Sequence, residues 1–345
     1  RDFLQFLGRG ALLGASLPWL PQCSSVTEKT TQLDRSQLPW TPVSPQSTDD
    51  VIVSPELKYE ILISWGDSLN KSQQFGFNND YIAWMPLPKK DPNSEALLWV
   101  NHESAHPLFV SGFEPGQKRT KAQVDKERQA VGGSIVHIVR TPESRQWKVL
   151  PDSPYNRRIS AETPIPLVSQ EPIAGSRQAI GTLANCAGGV TPWGSVLTCE
   201  ENYQDFYGEN HRHEDGRTVW QPSASYLMWE KVYKNPPEHY GWVVEVNPLS
   251  GTAKKLTALG RFSHECATVR EGSDGRVVVY SGDDANDECL YKFIADTPGS
   301  LETGELFVAD TKRGRWVSLS WKKNKELQNL FRNQTETLIH TRLAA

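Results

Sequence analysis

The chain has 345 residues and 38.7 kDa, with a formal net charge of −4 and a pI near 6.1; it can bury a large core in one or two domains and has no basic footprint for nucleic acid. Twelve Trp, two Met, 25 Gly and 23 Pro favour a turn-rich β protein over a helical one. The five cysteines Cys23, Cys186, Cys199, Cys266 and Cys289 are too scattered for a disulfide framework, and no spacing among them is that of a zinc ribbon.

Residue 1 is Arg, and Arg1-Asp-Phe-Leu-Gln5 resembles a twin-arginine export signal cut through its arginine pair. The apolar stretch from Phe6 to Leu20 serves as its h-region and is too short to span a membrane. Leu20-Pro-Gln-Cys23 is a poor lipidation site. Residues 1–23 are therefore expected as a truncated signal, residues 24–50 (rich in Ser, Thr, Pro and Gln) as a linker, and residues 51–345 as the folded domain.

Leu57 to Trp65 alternates as a strand would, Phe75-Gly-Phe-Asn-Asn-Asp-Tyr81 reads as an aromatic loop, and Ala96 to Asn101 as a buried strand. Hairpins are expected at Ser134–Val139 with Trp147–Leu150, at Trp242–Val246 with Ala253–Thr257, at Arg276–Tyr280 with Leu290–Ile294, and at Leu306–Ala309 with Trp316–Trp321. Short hairpins recurring along a chain of this length point to an all-β fold, a β-propeller or otherwise a sandwich. Residues 322–345 change to helical periodicity.

Chemistry concentrates in Gly181–Asn202, which holds Cys186, the glycines Gly188, Gly189 and Gly194, and the adjacent carboxylates Glu200 and Glu201. Glycine permits close backbone approach, and a thiolate beside carboxylates is metal-ligand material; the alternative is a turn, a buried thiol and a solvated Glu pair. Glu103 and Glu265 each close a His-Glu pair after a strand-like or turn segment, where rigid scaffolds build sites. One Cys with several Glu from distant segments suits hard cations together with a metal that tolerates a thiolate, such as iron. Asp283 and Asp284 have calcium-loop composition without EF-hand spacing. His102-Glu-Ser-Ala-His106 matches the zincin pattern in letters only, because it follows a strand-like run and meets Pro107, which disfavours the helix that motif needs. Glu245 reads equally as an edge residue or a ligand, His211 and His213 as a solvated insertion, and Arg157-Arg158 as structural bracing rather than an anion contact.

Asn185-Cys-Ala-Gly-Gly-Val-Thr-Pro-Trp-Gly194 followed by Thr198-Cys-Glu-Glu-Asn202 resembles the signature of PhoX-type alkaline phosphatases. So do Phe75–Tyr81, Val100-Asn-His-Glu103, Tyr155-Asn-Arg-Arg158, Gly241-Trp-Val-Val-Glu245, Gly260-Arg-Phe-Ser-His-Glu265 and Tyr280-Ser-Gly-Asp-Asp284, in order from about Glu56 onward. The resemblance implies a six-bladed propeller exported by the twin-arginine machinery to the periplasm or outside the cell. It also implies hydrolysis of small phosphomonoesters at a centre of two irons and calcium ions, with Cys186 as iron-bridging thiolate and Glu201, Glu265 and, less directly, Glu103 as metal carboxylates. Glu200, Asp283 and Asp284 are secondary metal candidates, and a monomer is expected. The family pattern continues past Ala345 into an Arg-Pro-Glu segment carrying a further carboxylate and a phosphate-facing arginine. None occurs here, so the chain is expected to be a fragment with an incomplete propeller that hydrolyses phosphomonoesters weakly or not at all. Two other classes remain at this stage: a calcium-dependent propeller lactonase or phosphotriesterase, which would lack a bridging thiolate, and a non-catalytic secreted propeller.

Overall fold

The computed structural model describes residues 39–223 and 227–345; the expected signal, Cys23 and the first part of the expected linker lie outside the described residues. Two compact units separate, Arg1–Glu60 and Ile61–Ala345. In the first, the Glu56 carboxylate accepts from Thr41 N (3.0 Å) and Thr41 Oγ1 (2.6 Å), while Ser54 Oγ donates to the Thr41 carbonyl at 2.8 Å. The alternating run from Leu57 to Trp65 does not form the expected strand. Leu57, Tyr59 and Ile61 are exposed, and alternation without a neighbouring strand gives the backbone no ladder to join.

The second unit is built on three sheets. The first begins as a meander of β1 (Asn79–Pro86), β2 (Glu95–His102), β3 (Gly132–Arg140) and β4 (Trp147–Val149), with β5 (Arg157–Ser160) also on β3. The second sheet contains β6 (Pro164–Val168), β7 (Gln178–Ile180), β8 (Asn185–Val190), β9 (Val196–Glu200), β12 (Val243–Val246) and β13 (Ala253–Leu256), in the order β7-β6-β13-β12-β9-β8. Between β9 and β12 the chain makes a separate hairpin, β10 (Glu209–Arg212) and β11 (Thr218–Gln221), on which His211 is exposed. The third sheet is an uninterrupted meander of β14 (Thr268–Glu271), β15 (Val277–Gly282), β16 (Leu290–Ala295), β17 (Gly304–Asp310) and β18 (Arg315–Ser318).

All four expected hairpins pair antiparallel: β3 with β4, β12 with β13, β15 with β16, and β17 with β18. The C-terminal stretch is helical as expected, in the segments Lys325–Leu330, Gln334–Ile339 and Thr341–Ala344. Separate sheets, antiparallel except where β6 joins β13 in parallel, give a propeller-type all-β architecture. The innermost strand of the second sheet, β8, lies against β1 and β2 of the first and β14 of the third.

Packing at that junction depends on two glycines. A Cβ on Gly188 would overlap the Leu197 carbonyl oxygen, and one on Gly189 would overlap the Ala267 carbonyl oxygen. Around them, Leu197, Cys199, Val243, Phe262, Ala267 and Val279 form one continuous buried cluster joining the second and third sheets. Gly189→Ala should therefore lower stability by about 1–3 kcal/mol, the range for overpacking a filled site. A chemical denaturation midpoint equal to wild type would show that the two backbones can part at no cost.

Candidate metal centre

Strand β8 carries Cys186, and the β8–β9 register slips between Asn185 and Gly188. Such a bulge re-aims a side chain that the regular pleat would direct elsewhere. Asn101 at the end of β2 holds the irregularity: its Nδ2 donates to the carbonyls of Cys186 and Ala187, the latter at 3.1 Å. Asn101 Oδ1 in turn accepts from Trp99 Nε1 at 2.6 Å and Thr198 Oγ1 at 2.8 Å. A buried amide with its donors and acceptor used specifies one geometry.

Around the thiol the chain gathers carboxylates from four segments. Ligand atoms of Asp80, Glu103 and Cys186 all lie within 4.8 Å of one another. Asp80 enters on β1 and Glu103 directly follows β2; Asn79 faces His102 in the ladder, and Glu103 N donates to the Asn78 carbonyl at 3.1 Å. Glu201, next after β9, lies close enough to the Cys186 thiol and to Asp284 for each to shift its proton affinity. Asp284 is placed by its main chain, its N–H donating to the Ser263 carbonyl at 3.0 Å.

The neighbouring candidates take different parts. Glu200, one residue from Glu201, faces the other way, as successive strand residues do. Its carboxylate is fully buried, paired with Lys255 Nζ at 2.6 Å and accepting from Gly241 N at 3.0 Å and Trp242 N at 3.1 Å. Asp283 is gripped by the Arg342 guanidinium, with Nε to Oδ2 and Nη2 to Oδ1 both 2.6 Å, so it anchors the loop that presents Asp284. Glu265 is exposed; its carbonyl accepts from Ala187 N at 2.9 Å, so its main chain borders the thiol segment while no hydrogen bond or ion pair of its carboxylate occurs among the described residues. Asp80 is the residue that side-chain types alone do not single out. It lies inside the aromatic run Phe75–Tyr81, and only the register of β1 on β2 brings it beside Glu103.

Other motifs settle as structure. His102 lies on β2, and His106 has extended backbone at φ −82°, ψ 106°, so the two imidazoles do not share a helix face. Glu245 is buried, accepting from Trp193 Nε1 (2.7 Å) and Ser195 Oγ (2.6 Å). Arg158 braces main-chain carbonyls rather than carboxylates, donating to Gln129 O at 3.0 Å and Val131 O at 2.7 Å.

The electrostatics of the cluster follow from burying Glu201, and half-burying Glu103 and the thiol, beside the exposed carboxylates of Asp80 and Asp284. Burial, and then Asp284 nearby, raises the Glu201 pKa to about 7. Burial, and then Glu201, Asp80 and Glu103 nearby, pushes the Cys186 thiol well up. Burial, and then Asp80, raises Glu103. Glu201, Glu103 and the thiol held this way favour either protons or cations. The donor chemistry suits both kinds of ion: a thiol for a thiophilic transition metal, carboxylate oxygens for a hard divalent cation.

A propeller-type scaffold with a thiol and clustered carboxylates at its inner strands defines a candidate metalloprotein. The chain belongs to the family described as alkaline phosphatase PhoX, whose profile matches residues 38–345. Among solved structures, Pseudomonas fluorescens PhoX in complex with vanadate, a transition state analogue, is similar with 30% identity and a TM-score of 0.74. The match covers 89% of this chain and 63% of that one, so the chain spans less than two thirds of that relative's length. No curated protein matches the chain. Among the described residues no helix is long and apolar enough to cross a membrane.

A pH experiment tests the electrostatics directly. In metal-free protein Glu201 has a folded pKa of about 7, above its ordinary 4.5. The native state therefore holds more protons than the unfolded state between these values, and stability falls as pH rises through that window. Urea midpoints of metal-free protein should drop between pH 5 and pH 7.5, Glu201→Gln should flatten the drop, and calcium should restore the midpoint at pH 7.5. A profile identical for wild type and Glu201→Gln would place the carboxylate outside the cluster.

Proposed function

We propose that this protein is a metal-dependent phosphomonoesterase, an alkaline phosphatase acting on small phosphate esters. The observation that supports it most is the group of Cys186, Asp80, Glu103, Glu201 and Asp284, drawn from separate strands and loops and left mutually repulsive without cations. A phosphomonoester is a dianion, and hydrolysis requires its charge to be neutralised and its oxygens polarised, which bound divalent or trivalent cations supply.

The side chains divide this work. Cys186 would hold iron, since thiolate is the one soft donor in the cluster. Asp80, Glu103, Glu201 and Asp284 would balance cation charge and accept calcium, with Glu265 joining if its exposed carboxylate turns inward. The Asn101 contacts and the Arg342–Asp283 fork orient the segments that carry these donors and so limit their movement. Export by the twin-arginine machinery, action in the periplasm or outside the cell, and a monomeric state belong to the same reading. A thiol inside the cluster favours it over a calcium-only lactonase or phosphotriesterase, and the repulsive carboxylates favour it over a binding module without metal.

Cys186→Ser is the decisive variant. Purified protein loaded with iron and calcium should show a visible thiolate-to-iron absorption band that disappears in the variant. Hydrolysis of p-nitrophenyl phosphate should fall by about 100-fold or more, a larger loss than removing an outer-shell partner causes. Cys199→Ser, in the core of the same sheet, should leave both nearly unchanged. Full turnover by Cys186→Ser would assign the thiol to the core and overturn the reading.

A further inference from the structure

A cleft of about 950 Å³ is walled by the segment Trp65–Phe75, the helix Lys121–Ala130 and the start of β5, and its Phe75 meets the ring of His102, the residue before Glu103. It shares no residue with the acidic cluster. Its volume falls in the range of small-molecule sites. Its charged lining is Lys71, Lys126, Arg158 and Glu162, three cations and one carboxylate on a chain whose net charge is −4.

Arg158 is the informative residue. It is only 7% exposed, and no carboxylate among the described residues pairs with it. Its guanidinium donates to Ser134 Oγ and to the carbonyls of Gln129 and Val131, and its Nε has no partner. Burial without a counter-charge lowers its pKa to about 9. Other buried cations of the fold are compensated: Arg119 pairs with Glu127, Lys255 with Glu200 and Arg261 with Glu209. A buried charge is costly unless paired, so the uncompensated guanidinium, its Nε closed to solvent and its other nitrogens already bonded, favours through its charge an anion held in the adjoining cleft. Lys71 and Lys126 are exposed and have no ion-pair partner among the described residues. The one carboxylate, Glu162, leans toward Arg128 at 4.0 Å.

The rest of the lining suits an organic body attached to that anion. Trp65 is 46% exposed and held edge-on to Phe77, with ring centroids 4.8 Å apart. This leaves indole surface available for a flat or apolar group. Gln73, Gln74 and Gln129 supply amides around it.

We propose that this cleft is a second anion-binding site, separate from the metal centre, which takes a phosphate-bearing small molecule with its phosphate toward Lys71, Lys126 and Arg158 and its organic part against Trp65. The inference does not depend on phosphatase activity. It predicts that the protein holds phosphate compounds at two places with different requirements, one governed by the cluster cations and one by the lysines.

Equilibrium dialysis of the intact protein with phenylphosphonate, which has no ester bond to cleave, separates the two. Wild type should show a component of binding that Lys71→Ala/Lys126→Ala weakens on the order of tenfold, as expected for losing charge-assisted hydrogen bonds. Glu162→Gln should tighten that component, and Cys186→Ser should leave it unchanged. The lysine variant should retain the p-nitrophenyl phosphate turnover of wild type. Inorganic phosphate serves as the second arm: weaker binding than phenylphosphonate assigns the site to organic phosphates, and equal binding assigns it to the free ion and removes the part given to Trp65. Binding that is indifferent to the lysines and to Glu162, or abolished with Cys186, overturns the proposal. Because the lysine-dependent component is read without turnover, it succeeds or fails apart from the assignment of phosphatase activity.

Discussion

Everything in the candidate centre depends on how β8 is held between its neighbours. It is the innermost strand of its own sheet and touches strands of both others. Its backbone must pass so close to the carbonyls of Leu197 and Ala267 that only glycine fits at 188 and 189. Those two glycines follow the bulge that turns Cys186 toward Asp80 and Glu103. Close approach and thiol orientation are thus one constraint, and the Asn101 amide keeps the bulge in place by bonding the carbonyls it exposes.

A second division of labour runs through adjacent residues. Glu200 and Glu201 differ only in which face of the strand they leave, yet one is neutralised by Lys255 in the core and the other meets a thiol and another acid. Asp283 and Asp284 repeat the pattern, with Arg342 gripping the first while the second reaches Glu201. In each pair one carboxylate is neutralised by a cation of the chain and helps fix the backbone, while its neighbour turns toward the acid cluster. Buried ion pairs add little net stability, so their use here lies in holding the segments that carry the cluster.

On the proposed reading, that arrangement would tie folding to cation binding. The cluster keeps acids close at the expense of mutual repulsion, and the raised Glu201 and Glu103 carboxyls express that tension. Cations that relieved it would bind the folded chain far better than the unfolded one and so would stabilise it.

The amino-acid sequence by itself determined the hairpins. Trp147, Val244, Val279 and Val308 lie in short β-branched or aromatic runs flanked by Pro, Gly, Asn and Asp turns, and local chemistry of that kind needs no distant partner to be read. The same locality marked Cys186 with its glycines and acids as candidate ligand material, and Pro107 as the end of any helical reading of His102 and His106. Where a partner was required, local pattern fell short. Leu57 to Trp65 alternates like a strand but has no strand to pair with. Tertiary structure alone decided which carboxylates share the thiol's space. Asp80 joins through the register of β1 on β2, Glu200 leaves for Lys255, Asp283 goes to Arg342, and Glu265 contributes a carbonyl while its side chain stays in solvent. The same holds for Arg158, whose lack of a counter-charge is a property of its surroundings rather than of its motif. Ligand sets and charge balance are sums over residues far apart in the chain, and only the folded backbone performs that sum.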